Sequence, residues 1–146
     1  MEELVQQMKV CLASVFALYL KTHNFHWNVE GPNFPQYHSF LDGLYNDLWG
    51  SVDAYAEHIR TLDAYAPGSL SRFSTLSVVD DQLNVPSALK MIKEVELDNK
   101  RVIEELKKAN KLAEDNGAAG LANFLQDRID VHFKHDWMLR SIGKAQ

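Results

Sequence analysis

His26, His38, Asp42, Asp53 and Glu57 are the residues of this chain whose types and spacing invite chemistry. Imidazole and carboxylate donors suit iron, manganese or zinc. Four of the five fall in one stretch that reads as a helix. At about 100° per residue, Asp42, Asp53 and Glu57 lie roughly 40°, 60° and 100° from His38, so all four share a face beside the apolar stripe. One helix cannot close a site from them, because His38 and Glu57 are about 28 Å apart along the axis. Their positions are, however, symmetric about a centre near Asp47 and Leu48. Two copies packed antiparallel about a twofold axis there would bring His38 to the partner's Glu57 and Asp42 to the partner's Asp53. Two identical sites would result, one at each end of an isologous interface. His26, near the end of the preceding helix, would fold in beside His38. A single carboxylate or imidazole pair one turn apart is usually a solvated helix face; two pairs sharing a face and a centre favour the site.

The elements that must position these residues read as helices. Val5, Met8, Leu12, Val15, Phe16 and Tyr19 recur at three and four over Leu4 to about Phe25. Gly31, Pro32, Asn33 and Pro35 supply turn chemistry after Asn28. A second helix from Phe34 or Pro35 to about Ala64 carries Leu41, Leu44, Tyr45, Leu48, Val52, Tyr55, Ile59 and Leu62. The stretch from Pro67 to Pro86 reads as a long connection in which only Leu70 to Leu76 forms a short helix. Pro86 and Ser87 open a third helix, with Ile92, Val95, Val102, Ile103, Leu106 and Ala109 as its stripe, and Asn116-Gly117 ends it. A fourth helix covers about Leu121 to Ile142, with Phe124, Leu125, Ile129, Phe133 and Trp137 in register. The expected fold is all-α: one domain over 1–146, a ferritin-like four-helix bundle with a long crossover containing a short helix between the second and third long helices. The Glu-x-x-His pairs of the usual di-iron bundle are absent from this sequence.

Composition narrows the classes. The chain has 146 residues, 46% hydrophobic and 24% charged, as in ordinary globular proteins. A single cysteine, Cys11, excludes an internal disulfide and multi-cysteine metal sites, and fits a reducing, cytoplasmic setting. No uninterrupted apolar run reaches the ~18 residues of a membrane span. A net charge of −5 argues against bulk-charge binding to phosphate backbones.

The segment His26-Trp27-Asn28-Val29, then Gly31, Phe34, His38, Leu41-Asp42, Asp53 and Ala56-Glu57, resembles the signature of the Dps proteins, the mini-ferritins. Pro67-Gly68 and the closing His132, Lys134-His135, Trp137-Met138-Leu139-Arg140-Ser141 extend the resemblance over most of the chain. It implies a dodecameric shell built of dimers, with a ferroxidase site holding two Fe ions at each dimer interface. By this resemblance His26, His38 and Asp42 come from one subunit and Asp53 and Glu57 from its partner. The resemblance further implies that Fe(II) is oxidised with hydrogen peroxide or dioxygen and stored as a ferric mineral, and that zinc or other divalent metals can substitute at the site. Trp27, beside a ligand, is either an electron donor or a packing aromatic.

Departures from the family pattern matter as well. No Lys-rich extension precedes the first helix, and Gly143-Lys144-Ala145-Gln146 carries one charge, so DNA binding through tails is not expected. Lys100, Arg101, Lys107, Lys108 and Lys111 are interspersed with Glu94, Glu96, Glu104 and Glu105 and read as a solvated face. At the start of the fourth helix, where relatives line an iron-entry pore, Asp127 is kept. Asn123 and Ala118 stand where acids are common, and Glu114 or Asp115 would supply field instead. His58 replaces the usual Arg after Glu57 and would act beside the ligands or at the surface. His132 and His135 are expected on an exposed helix, His23 beside His26, and Tyr37 against His38. The alternatives to a ferroxidase are a DNA-condensing nucleoid protein and a metal-binding assembly that builds no mineral.

Overall fold

The computed structural model describes residues 1–144; Ala145 and Gln146, the end of the C-terminal stretch expected to carry one charge, lie outside it. The described residues form five helices: α1 Glu2–Asn28, α2 Phe34–Thr61, α3 Leu70–Leu76, α4 Ala88–Asp115 and α5 Ala119–Ile142. No strand occurs among the described residues. The four long helices and the short crossover helix match the sequence reading. Boundaries differ by a few residues, as expected where helix ends fray.

Local chemistry sets those ends. Between α1 and α2 the chain turns through Gly31 (φ +99°) and Asn33 (φ +66°), both left-handed, a conformation that glycine and asparagine adopt at least cost. Pro35 falls in the first turn of α2, where its missing N–H costs nothing. Ser87 caps α4 by accepting from the Lys90 N–H at 3.3 Å, and Ser69 caps α3 by accepting from Arg72 at 3.2 Å.

α1 packs against α2, α4 and α3, and α4 against α5. The core between them holds Leu4, Met8, Leu12, Val15, Leu18 and Phe25 of α1, facing Leu41, Leu48, Tyr55 and Ile59 of α2 and Ile92, Val95, Val102 and Leu106 of α4. α1 is long and apolar enough by length and composition to cross a membrane, which the count of uninterrupted apolar residues did not register. In the bundle that apolar character is spent on the core.

The stripe of α5 differs from the sequence reading. Phe133 and Trp137 are about half exposed, at 47% and 53%, whereas Leu121, Leu125, His132, His135 and Leu139 face inward. The periodicity had a second solution through polar residues, and the interior supplies their partners. The crossover is likewise fastened by polar groups: the buried Lys21 ammonium pairs with Asp98 at 2.8 Å and donates to the Asp80 carbonyl at 3.1 Å. Ser14 accepts from the Val78 N–H at 3.0 Å.

Candidate metal centre

The tight α1–α2 turn brings His26 and His38 face to face. Their rings stack at 3.8 Å with 17° between planes. Each Nδ1 lies 2.8 Å from the other residue's backbone carbonyl. A carbonyl only accepts, so each Nδ1 carries the proton and each Nε2 keeps its lone pair. This reciprocal anchoring fixes both tautomers and orientations as metal-ligating imidazoles require.

Asp42, half-buried, follows one turn after His38 on α2. Asp53 and Glu57 sit exposed at the other end of the same helix. There hydrogen bonding to the Asp53 carboxylate one turn away, and then its charge, raises the Glu57 carboxyl above its ordinary value, an effect that a divalent cation between them would relieve. Within one chain, no three metal-ligating side chains converge among the described residues. One copy thus presents two imidazoles and a carboxylate at one end of α2 and two carboxylates at the other.

Aromatic side chains surround the histidine pair. His23 stacks on Tyr45 at 3.7 Å and lies 4.2 Å from Trp27 and 5.9 Å from His26. Burial, then the neighbouring His26, lowers its basicity. Phe34 covers His38 at 4.9 Å, and Tyr37 is half-buried against the core. Trp27 is 59% exposed. His58 packs on Phe124 at 4.7 Å, and burial lowers its basicity. Asn123 is exposed and lines a groove of about 330 Å³ with Glu114 and Ala118, and Asp127 is exposed on the same helix.

His132 and His135 are not on an exposed face. Both are buried, at 0% and 7% exposure. Asp47, roughly 180° around α2 from His38, points inward instead. It receives two hydrogen bonds from Arg128 of α5, at 3.1 and 2.9 Å, and one from His135 Nε2 at 2.8 Å. His132 Nδ1 donates to the Asn99 side-chain oxygen at 2.7 Å, while Asn99 donates to the His132 carbonyl at 2.9 Å. Although its own burial opposes ionisation, hydrogen bonds from His135 and Arg128 and the Arg128 charge hold the Asp47 carboxyl well below the usual range. Burial, reinforced by Arg128, pushes His132 well below the ordinary histidine value. Sequence reasoning missed this network. The heptad-like run Leu121, Leu125, Arg128, His132, His135, Leu139 was its signal.

Comparison with known proteins bears on this arrangement. The ferritin-like domain family matches residues 5–145. A DNA protection during starvation protein of Brevibacillus brevis is 31% identical, covering 97% of this chain and 98% of that protein. An uncharacterised low temperature-induced protein of Nostoc is 33% identical over 92% of this chain and 76% of its own length. The chain belongs to the Dps branch of the ferritin-like family. The Dps of Staphylococcus aureus superposes with a TM-score of 0.95 at 28% identity, covering 100% of this chain and 98% of that one. Membership of the Dps proteins accords with iron storage and protection. In this Dps chain the metal-ligating types lie outside the bundle, on the α2 face opposite Asp47. The Asp47–Arg128–His135 ion pairs lie between α2 and α5, on the side of α2 away from those types.

Proposed function

We propose that this protein is a ferroxidase that oxidises Fe(II) at sites shared between two copies and stores the ferric product in a hollow shell, a dodecamer built of dimers. One observation carries the reading: the reciprocally anchored His26–His38 pair offers two free Nε2 atoms at one end of α2, with complementary carboxylates at the other end and no closure among the described residues of one chain. Antiparallel pairing of α2 completes each site from His26, His38 and Asp42 of one copy and Asp53 and Glu57 of the other. The exposed Trp49 at 54%, next to the twofold centre, and Trp27 supply apolar surface for such a contact.

The donor set fits iron. Neutral imidazoles bind Fe(II), and three carboxylates favour the ferric product. Zinc takes the same donors without redox chemistry. Two Fe(II) ions held together give two electrons to one hydrogen peroxide, so the O–O bond breaks without releasing a hydroxyl radical. The chain's own residues hold and orient the ions: the two carbonyl-anchored imidazoles need no reorientation on binding. Trp27 would serve as a spare electron donor, and His58, packed on Phe124, would steady the turn that carries Glu57. Glu114, Asn123 and Asp127 would form part of the entry path, where the field of the carboxylates draws in cations. The cytoplasm, with its supply of Fe(II), is the setting this activity fits.

From Lys100 to Lys111 each α4 lysine is paired with an acid: Lys100 with Glu96 and Asp136, Lys107 with Glu104, Lys108 with Glu105 and Lys111 with Asp115. Ferric formation followed by absorbance after adding Fe(II) and peroxide tests the function. The wild type should turn over rapidly and His38→Ala with Asp53→Ala slowly; equal rates would refute the assignment.

A further inference from the structure

Tyr19 stands one helical turn before His23, and its hydroxyl lies 3.0 Å from His23 Nδ1. That is the heavy-atom distance at which a side chain can take a proton as it leaves. The phenol is half-buried, and the imidazole beside it continues the aromatic contacts already described: His23 lies 4.2 Å from Trp27 and 5.9 Å from His26, while Tyr19 is 5.1 Å from Trp49. A phenol oxidised without losing its proton becomes a strongly acidic cation. A base already hydrogen-bonded to the hydroxyl removes that obstacle.

We infer that Tyr19 and His23 form a proton-coupled electron donor to the site built on His26 and His38. The inference rests on the proposed ferroxidase reading. It concerns the case in which a site holds one Fe(II) instead of two when hydrogen peroxide arrives. The metal then supplies one electron and Tyr19 the second. The phenolic proton moves to His23 Nδ1, the O–O bond breaks, and two solvent protons complete two waters. Fe(III), a neutral tyrosyl radical and a protonated His23 remain. A later Fe(II) returns an electron to the radical, His23 returns the proton, and the pair is restored. Under-loaded sites would thereby avoid one-electron reduction of peroxide, which releases a hydroxyl radical. Trp27 differs in being mostly exposed, and no hydrogen bond to its indole occurs among the described residues.

The test uses the purified protein with one Fe(II) per expected site, mixed with excess hydrogen peroxide, freeze-quenched and read by electron paramagnetic resonance. A tyrosyl radical should form in the wild type, persist in Tyr65→Phe and be lost in Tyr19→Phe. Persistence of the same signal in Tyr19→Phe, or a purely tryptophanyl signal in the wild type, overturns the inference. A second arm needs no iron: the metal-free protein is photo-oxidised by a ruthenium complex with persulfate. It should give a Tyr19 radical carrying an exchangeable hydrogen-bonded deuteron in heavy water, and His23→Leu should lose that coupling. A radical whose coupling is unchanged in His23→Leu also overturns it. If ferric ion forms but neither arm yields the Tyr19 radical, the relay is wrong and the ferroxidase stands. If the metal-free radical forms but no ferric ion does, the ferroxidase reading fails.

Discussion

Complementation between two damaged chains tests the shared site most directly. His38→Ala removes one imidazole from the histidine end of α2, and Glu57→Ala removes one carboxylate from the other end, where the side chain is exposed and supports no packing. If each site takes its halves from different copies, a homodimer of either variant carries two damaged sites. A mixed dimer carries one doubly damaged site and one with every ligand intact. Random pairing of equal amounts makes half the dimers mixed, so roughly one quarter of all sites are whole. Refolding the two variants together and measuring initial ferric formation should therefore give about a quarter of the wild-type rate, where each variant alone gives little. Subunit exchange is checked by mass spectrometry on the refolded sample. Mixed dimers with no more activity than the separate variants would refute the shared geometry, because ligands drawn from a single chain cannot complement.

Asp47→Ala leaves Arg128 without its carboxylate in a mostly buried setting, and should cost about 2–4 kcal/mol in urea unfolding, reduced from the fully buried case because Asp47 is itself partly exposed. Asp47→Ala combined with Arg128→Met should recover most of that loss. Stability should fall with acid in two stages. His132 has a folded-state pKa far below that of the unfolded chain, so its contribution is present above about pH 6.5 and is lost as pH falls below it. Asp47 is also depressed, so its contribution holds above about pH 4 and is lost below. Thermal unfolding against pH reads both stages, and His132→Asn, which keeps a donor toward Asn99, should remove the upper one. In a gel shift at low salt, duplex DNA should migrate unchanged, since the lysines from Lys100 to Lys111 are each paired with a carboxylate; a retarded band that disappears with added salt would show a phosphate-binding surface.

The four long helices, the crossover helix Leu70–Leu76 and the candidate ligands were legible because each depends on spacing along one segment. Apolar recurrence fixes a helix and its buried face, and the symmetry of 38, 42, 53 and 57 is arithmetic on one helix. The inward course of His132 and His135 was not legible in the same way. Asn99 and Asp47, distant in the chain, meet one ring nitrogen of each and so offset their burial, and the aromatic residues Phe133 and Trp137 offered an equally periodic face. Lys21 is similar: its burial follows from Asp98 and the Asp80 carbonyl.

The sequence by itself determined the helices, their order, the family signature and which side chains to propose as metal ligands, since these follow from local spacing and donor type. Tertiary structure decided which nitrogens stay free. The α1–α2 turn brings two carbonyls within 2.8 Å of two Nδ1 atoms, leaving both Nε2 lone pairs open. It also decided which polar residues lie inside, because burying a charge or an imidazole depends on partners that only the folded chain assembles.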